Sequence, residues 1–197
     1  MVRHGESEGN RERRFTISPD VPLTETGRRQ AFEVAARIRG LFKPEVIISS
    51  PFARARHTSE IIAAELNLPI EVVADLHERD LGALRGHSYD MLREAVRIDP
   101  KYDPANGWSW KPEGGESYEE VRQRVVYAIE GVRQRYPAHE VIVVSHGGVM
   151  LSLWAHIVGS WHGAHLPPNC GIVLVEHDHR RMYPPMIVQG KECGELG

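Results

Sequence analysis

Three short apolar runs restrict this chain more than any other feature: Val46-Ile47-Ile48, Val141-Ile142-Val143-Val144 and Ile172-Val173-Leu174-Val175. Each is rich in β-branched residues, is too short for a buried helix and has no polar face. Such runs suit strands covered on both sides. The segments between them keep helical spacing instead. Ala31, Val34, Ile38 and Leu41 follow a start near Thr24. Ser50-Pro51 has the order of an N-cap and a first helical residue, and Ala55, Thr58, Ile62 and Leu66 continue one face. Ser117-Tyr118-Glu119-Glu120 is a capping box ahead of Val121, Val125, Ile129, Val132 and Tyr136. Val149, Leu153, Trp154 and Ile157 mark a fourth helix, with Gly159 as its terminator.

Strands alternating with helices predict an α/β fold, a three-layer sandwich whose largely parallel central sheet has helices on both faces. The length of 197 residues suits a single domain spanning residues 1–197. Arg181–Val188 is expected as an edge strand, because Pro184 and Pro185 are tolerated mainly at edges. Residues 99–115 are rich in Pro, Gly and Trp and are expected to form a loop over the site.

Composition excludes several classes. Hydrophobic residues make up 41% and charged residues 26%, which is neither collagen-like, disordered nor simple coiled coil. No apolar run approaches the ~20 residues of a membrane helix, and no signal-peptide pattern opens the sequence. The net charge of -3 offers no broad field for nucleic acid. Charge is uneven, however: residues 1–60 hold ten Arg and one Lys against eight acids, and the remainder is acidic. A basic N-terminal third suits a small anion better than a polymer. Cys170 and Cys193 are distant and show no CxxC spacing, so a reducing, cytoplasmic setting is expected.

Three predicted strand-to-helix junctions carry cationic or anion-binding groups: Arg3-His4-Gly5-Glu6-Ser7, Ser49-Ser50-Pro51-Phe52-Ala53-Arg54 and Ser145-His146-Gly147-Gly148. Ligands of open α/β sheets bind beyond the carboxyl ends of the strands, where helix N-termini offer free N–H groups. Arg54 opposes the dipole of its own helix there, a penalty that a bound dianion reverses. A phosphate pocket assembled from distant segments is the expectation.

These blocks resemble the histidine phosphatase superfamily, also called the phosphoglycerate mutase-like family. The resemblance continues through Asn10, Leu23-Thr24-Glu25-Thr26-Gly27, Ser50-Pro51-Phe52-Ala53-Arg54-Ala55, His77-Glu78-Arg79-Asp80-Leu81-Gly82 and Gly114-Gly115-Glu116-Ser117, in family order. It implies that His4 is the nucleophile and takes the phosphoryl group onto a ring nitrogen. Arg3, Arg54 and His146 would surround the phosphate, with Asn10 and the Gly147 N–H as further donors and Ser7 at the rim. Glu78 would protonate the leaving oxygen and then activate water. No metal or cofactor is expected, since side chains supply the cations. Only Met1 and Val2 precede Arg3, where the family has a full central strand; a shortened strand loses apolar burial beside the nucleophile.

The activity implied is a metal-independent phosphomonoesterase acting on small phosphorylated metabolites. One alternative is a cofactor-dependent phosphoglycerate mutase, but only 68 positions separate Glu78 from His146, and mutases usually carry a longer insertion there. The other is a non-catalytic binding module on the same fold, whose mark would be loss of the nucleophile or the acid. The partners expected are a small phosphorylated substrate and, at most, a second copy as a homodimer, with no nucleic acid and no membrane.

Several features have a plainer reading. His177-Asp178-His179 is expected as a turn after a strand rather than a metal site, and His156, His162 and His165 are treated alike. Trp108 and Trp110 either wall the pocket or pack the loop. Arg11, Arg13 and Arg14 either meet the remote end of a substrate or form a solvated basic loop. Ser7 either borders the phosphate or caps a helix.

Overall fold

The computed structural model describes residues 1–16, 18–178 and 180–188. Six strands form one sheet: β1 (Val2–Arg3), β2 (Val46–Ser49), β3 (Ile70–Val72), β4 (Val141–Ser145), β5 (Ile172–Leu174) and β6 (Met186–Val188). Their order across the sheet is β3-β2-β4-β1-β5-β6. β3, β2, β4 and β1 are mutually parallel, while β5 runs antiparallel to both its neighbours.

The pleat divides the core. Successive strand residues point to opposite faces. Ile47, Ile142, Val144 and Val2 pack with Ala31, Val34, Ala35 and Ile38 of α2 (Glu25–Leu41) and with Ala55 and Ile62 of α3 (Ala53–Leu66). On the other face, Val46, Ile48 and Val143 pack with Val121, Val125 and Ile129 of α5 (Tyr118–Arg135) and with Val149 and Leu153 of α6 (Gly147–Val158). Two layers of helix thus enclose a mostly parallel sheet, as the apolar runs predict. The caps follow the sequence as well. Thr24 accepts the Gly27 N–H, Ser117 and Glu120 close a reciprocal box, and Gly159 ends α6 at φ 71°.

Three expectations need correction. α3 begins at Ala53, two residues later than Pro51, with Phe52 as an N-cap that makes no side-chain bond. The Ser50 hydroxyl is drawn to His146 instead. The last strand covers only Met186–Val188, because Pro184 and Pro185 have no N–H to extend the ladder. Val175 falls outside β5. Two further helices also occur, α1 (Glu8–Arg11) and α4 (Tyr89–Ile98), the second lying ahead of the 99–115 loop.

Two-residue β1 sits between longer neighbours. It pairs Val2 with Val144 and Arg3 with Ser145, so Val141 and Ile142 of β4 face no strand on that side. A cavity of about 550 Å³ lies there. It is bounded by Val141–Val143, by Val173–Val175, and on its two faces by Ile38 of α2 and by Ile129 and Val132 of α5. This end of the sheet is opposite to the end that carries the histidines.

Candidate active site

β1, β2 and β4 are parallel neighbours, so their carboxyl ends open on one edge of the sheet. His4 follows β1, Ser50 follows β2 and His146 follows β4. The order β2-β4-β1 brings residues about 50 and 140 positions apart into one cluster. The His4 and His146 rings stand 5.1 Å apart between centroids, and both are buried.

The loop after β1 is clamped from several directions. Its Gly5 N–H donates to the Thr58 hydroxyl at 3.1 Å, and Asn169 Nδ2 donates to the His4 carbonyl at 2.9 Å. The Glu6 carbonyl accepts the Thr24 N–H at 2.9 Å, and the Glu6 N–H donates to Gln30 Oε1 at 2.8 Å. Backbone approaches backbone so closely here that only glycine fits. A Cβ on Gly27 would stand 2.1 Å from the Glu6 carbonyl oxygen, and one on Gly5 would stand 2.4 Å from that of Gly27. The Leu23–Gly27 block therefore anchors the loop after β1 to the first turn of α2.

His4 Nδ1 lies 2.7 Å from the Gly5 carbonyl oxygen, which fixes the ring proton on Nδ1. The lone pair is left on Nε2, where Arg54 Nε donates to it at 3.2 Å. Burial, and then the Arg54 charge, hold His4 well below the usual histidine range; the Gly5 carbonyl opposes this and Arg3 adds to it. His146 is likewise lowered, by burial first and then by Arg54. Both rings are neutral at pH 7. The His146 Nε2 lies 2.7 Å from Ser50 Oγ, which also accepts the Phe52 N–H; with the serine hydroxyl donating to Nε2, the ring proton stands on Nδ1.

That leaves a surplus of donors. Arg3 Nε, Arg54 Nη1 and His146 Nδ1 are buried and have no hydrogen-bond partner. An unpaired buried donor costs roughly 1–3 kcal/mol. Burial lowers Arg54 to about 10, with the Glu78 and Tyr89 charges opposing and the Arg3 charge adding. Two cations and a neutral imidazole N–H around one buried histidine form a receptor for a compact anion.

Glu78 stands at the other side. Its carboxylate accepts the Arg79 N–H at 2.8 Å and the Gly148 N–H at 3.1 Å, so it rests on the first turn of α6. The Gly148 Cα leaves room for it: a Cβ there would stand 2.4 Å from Oε1. These two N–H groups fix the position of the Glu78 carboxyl group.

The structure gathers His4, Arg3, Arg54, His146 and Glu78, while Ser7 and Asn10 hold the rim. Ser7 is fully buried and caps α1 in a reciprocal box with Asn10. Asn10 Oδ1 also accepts Asn169 Nδ2, and its own Nδ2 donates to the Tyr89 hydroxyl. Gly147 opens α6 with Arg3 and Leu166 beside its Cα. Trp110 packs the loop: its Nε1 donates to Asp99 and its carbonyl accepts Arg79. Trp108 stacks on Trp161, with ring centroids 4.5 Å apart. Arg11 pairs with Glu8, and Arg14 donates to the Gly86 carbonyl. Asp178 accepts the N–H groups of Arg180 and Arg181 in a turn; His179 and Cys193 lie outside the described residues. Burial pushes the Cys170 thiol up to about 12. Among the described residues no cluster of three His, Cys, Asp or Glu could hold a metal ion, and no helix is long and apolar enough to cross a membrane.

Asn169, Tyr89 and Thr58 are the residues that sequence reasoning did not place at the site, and Ser50, which stood in a junction block, was given only a capping role. Ser50 and Thr58 lie in segments read as a cap and a helix face. Asn169 follows two prolines in a stretch with no periodicity.

Comparison with known proteins places these features in a wider group. The model of the histidine phosphatase superfamily (branch 1) matches residues 1–185. The chain is 34% identical over 159 residues to the uncharacterized phosphatase PhoE of Bacillus subtilis, covering 81% of this chain and 76% of that protein. It is 33% identical over 180 residues to the probable phosphoglycerate mutase GpmB of Salmonella paratyphi C, covering 90% and 83%. Among solved structures, YhfR of Bacillus stearothermophilus superposes with a TM-score of 0.79 at 27% identity, covering 93% of this chain and 92% of that one.

Proposed function

Since the chain belongs to the histidine phosphatase superfamily, branch 1, we propose that it is a phosphomonoesterase that works through a phosphohistidine on His4. The observation that carries this reading is the set of three unpartnered buried donors, Arg3 Nε, Arg54 Nη1 and His146 Nδ1, around a neutral histidine. A phosphate dianion satisfies all three. It also draws the Arg54 guanidinium off the His4 lone pair, which frees Nε2 for attack. In-line displacement moves the phosphoryl group from the ester oxygen to Nε2, and the ester oxygen leaves with the proton of Glu78. Water then attacks the phosphohistidine, giving its proton back to Glu78, and inorganic phosphate departs. Arginine positioning and charge stabilisation supply most of the catalysis in such transfers. The substrate is a small phosphorylated metabolite, and the side-chain cations leave no step that needs a metal ion.

Two checks follow from this. His4→Ala is expected to abolish turnover with an unchanged fold, and quenched reactions of the wild type with labelled substrate should carry acid-labile phosphate on His4. Full hydrolysis by the alanine variant would overturn the reading.

Relatives named as probable mutases match as well as the relative named a phosphatase, which makes phosphoryl return to a second substrate oxygen the second reading. With 3-phosphoglycerate and its bisphosphate primer, hydrolysis predicts inorganic phosphate in excess of 2-phosphoglycerate, and mutase action the reverse.

A further inference from the structure

The Gly114–Ser117 block contributes no group to the phosphate cluster, and the mechanism above leaves it without a task. Its contacts point elsewhere. The Arg124 guanidinium, on α5, uses all five of its donors. Nη1 donates to the carbonyls of Asp75 at 2.6 Å and His77 at 2.9 Å. Nη2 donates to the Glu78 carbonyl at 3.4 Å and to Glu116 Oε2 at 2.9 Å, and Nε donates to Glu116 Oε1 at 2.8 Å. Glu116 in turn takes hold of the next residues. Its Oε2 accepts the Asp80 N–H, its own N–H donates to the Asp80 carbonyl, and its carbonyl accepts Arg79 Nε, each at 2.8 Å. Every residue from Glu78 to Asp80 is thereby tied to Glu116 or Arg124.

We propose that Glu116 and Arg124 are positioning residues that splint the Glu78 loop, holding the carboxylate on the Gly148 N–H where it can reach the leaving oxygen. The inference rests on the reading of Glu78 as the general acid. The splint is mostly buried, with 14% of the Arg124 side chain and 21% of that of Glu116 exposed, unlike the pairs on the surface of the molecule. Burial works against the Glu116 charge, but hydrogen bonds from Arg124 and the Asp80 N–H outweigh it and hold the carboxyl below its usual range. The bond pattern also dictates the residue types. A lysine has three donors on one nitrogen and cannot reach three carbonyls and a bidentate carboxylate together. Between short helical turns at Ala74–Leu76 and Gly82–Leu84 the loop has no ladder of its own, so the course of Glu78–Asp80 depends on these contacts.

The test uses Arg124→Lys and Glu116→Gln in single-turnover phosphorylation by two esters, glycerol phosphate and nitrophenyl phosphate. A carboxyl group about 1 Å out of place loses on the order of 100-fold when it must donate a proton. The expected result is a fall of roughly 10- to 100-fold with the alkyl ester and of less than about 3-fold with the aryl ester. Adding Glu78→Gln to either variant should slow it no further than Glu78→Gln alone. Equal losses with both esters, or multiplied losses in the double variants, overturn the proposal. A second readout is independent of chemistry: amide exchange at Arg79, Asp80 and Gly148 should accelerate in both variants while β2 and β4 stay protected. Unchanged exchange overturns the splint. If Glu78→Gln itself shows no dependence on the leaving group, the general-acid reading fails and amide exchange alone decides the splint. Should Arg124→Lys not fold, Glu116→Gln retains one carbonyl acceptor and carries both measurements.

Discussion

Gly148→Ala separates the chemistry of this site from its stability. A Cβ at Gly148 would stand 2.4 Å from Glu78 Oε1, while its next contacts, Glu78 Cδ and Arg79 Cβ, lie at 3.4 and 3.5 Å. Only the carboxylate must yield, and it has to retreat by about 1 Å to reach an ordinary contact. The carboxylate is the free end of a side chain, so the fold accommodates the change. Alanine also suits a helix better than glycine by about 0.5–1 kcal/mol, which offsets much of the weakened N–H bond to Glu78. The net change in stability should stay within about 1 kcal/mol, or a few degrees in Tm. Activity should not be spared. A misplacement of about 1 Å costs on the order of 100-fold, inside the 10²–10⁴-fold that a general acid contributes. Single-turnover phosphorylation by glycerol phosphate should therefore fall about 100-fold, and that by nitrophenyl phosphate, whose leaving group needs no proton, less than about 3-fold. An alkyl-ester rate within about 3-fold of wild type would refute the reasoning, because the seat on α6 would then have no bearing on proton donation.

Gly27→Ala is the contrasting case: its Cβ meets the Glu6 carbonyl oxygen at 2.1 Å, backbone against backbone, and a loss of about 1–3 kcal/mol is expected in urea denaturation along with activity. Because His4 and His146 are held below the usual range, the unfolded chain takes up their protons first as pH falls through 6.5. Stability should rise with pH up to that value and level off above it, with a slope of up to about 1.4 kcal/mol per pH unit for each histidine, read from denaturation midpoints at several pH values.

What the sequence disclosed and what it concealed divide along a physical line. Val46–Ile48 and Val141–Val144 are buried on both faces, so their apolar character survives in the sequence as an unbroken run. The capping box at Ser117 and the terminator Gly159 are local chemistry and were equally legible. α4 was not read from the sequence although its apolar residues keep a helical period; none of its residues is buried, and Met91 and Ile98 are exposed. The antiparallel course of β5 is also invisible, because strand direction depends on the 159–171 connection and not on the strand's own residues. At the site, Arg3, His4, Arg54, Glu78 and His146 stand in motif blocks and were found through the resemblance. Asn169, Tyr89 and Thr58 act by hydrogen bonds across 53 to 165 positions of chain, a relation that no spacing rule encodes.

The contacts divide the site into a part that is satisfied and a part that is not. The Arg3–Ser7 loop and the Glu78 loop have their backbone groups paired by Thr24, Thr58, Asn169, Glu116 and Arg124. Of the six buried side-chain atoms left without a partner among the described residues, three belong to His4's own surroundings: Arg3 Nε, Arg54 Nη1 and His146 Nδ1. A fold selected for stability alone would pair such donors or replace them with apolar groups, since each costs roughly 1–3 kcal/mol when left unmade. On the function proposed above, their cost is incurred before the substrate arrives, and its phosphate dianion recovers it on binding. Because the surrounding loops are already fixed, little of that recovered free energy goes into ordering the protein, and it remains available where charge develops on the transferring phosphoryl group.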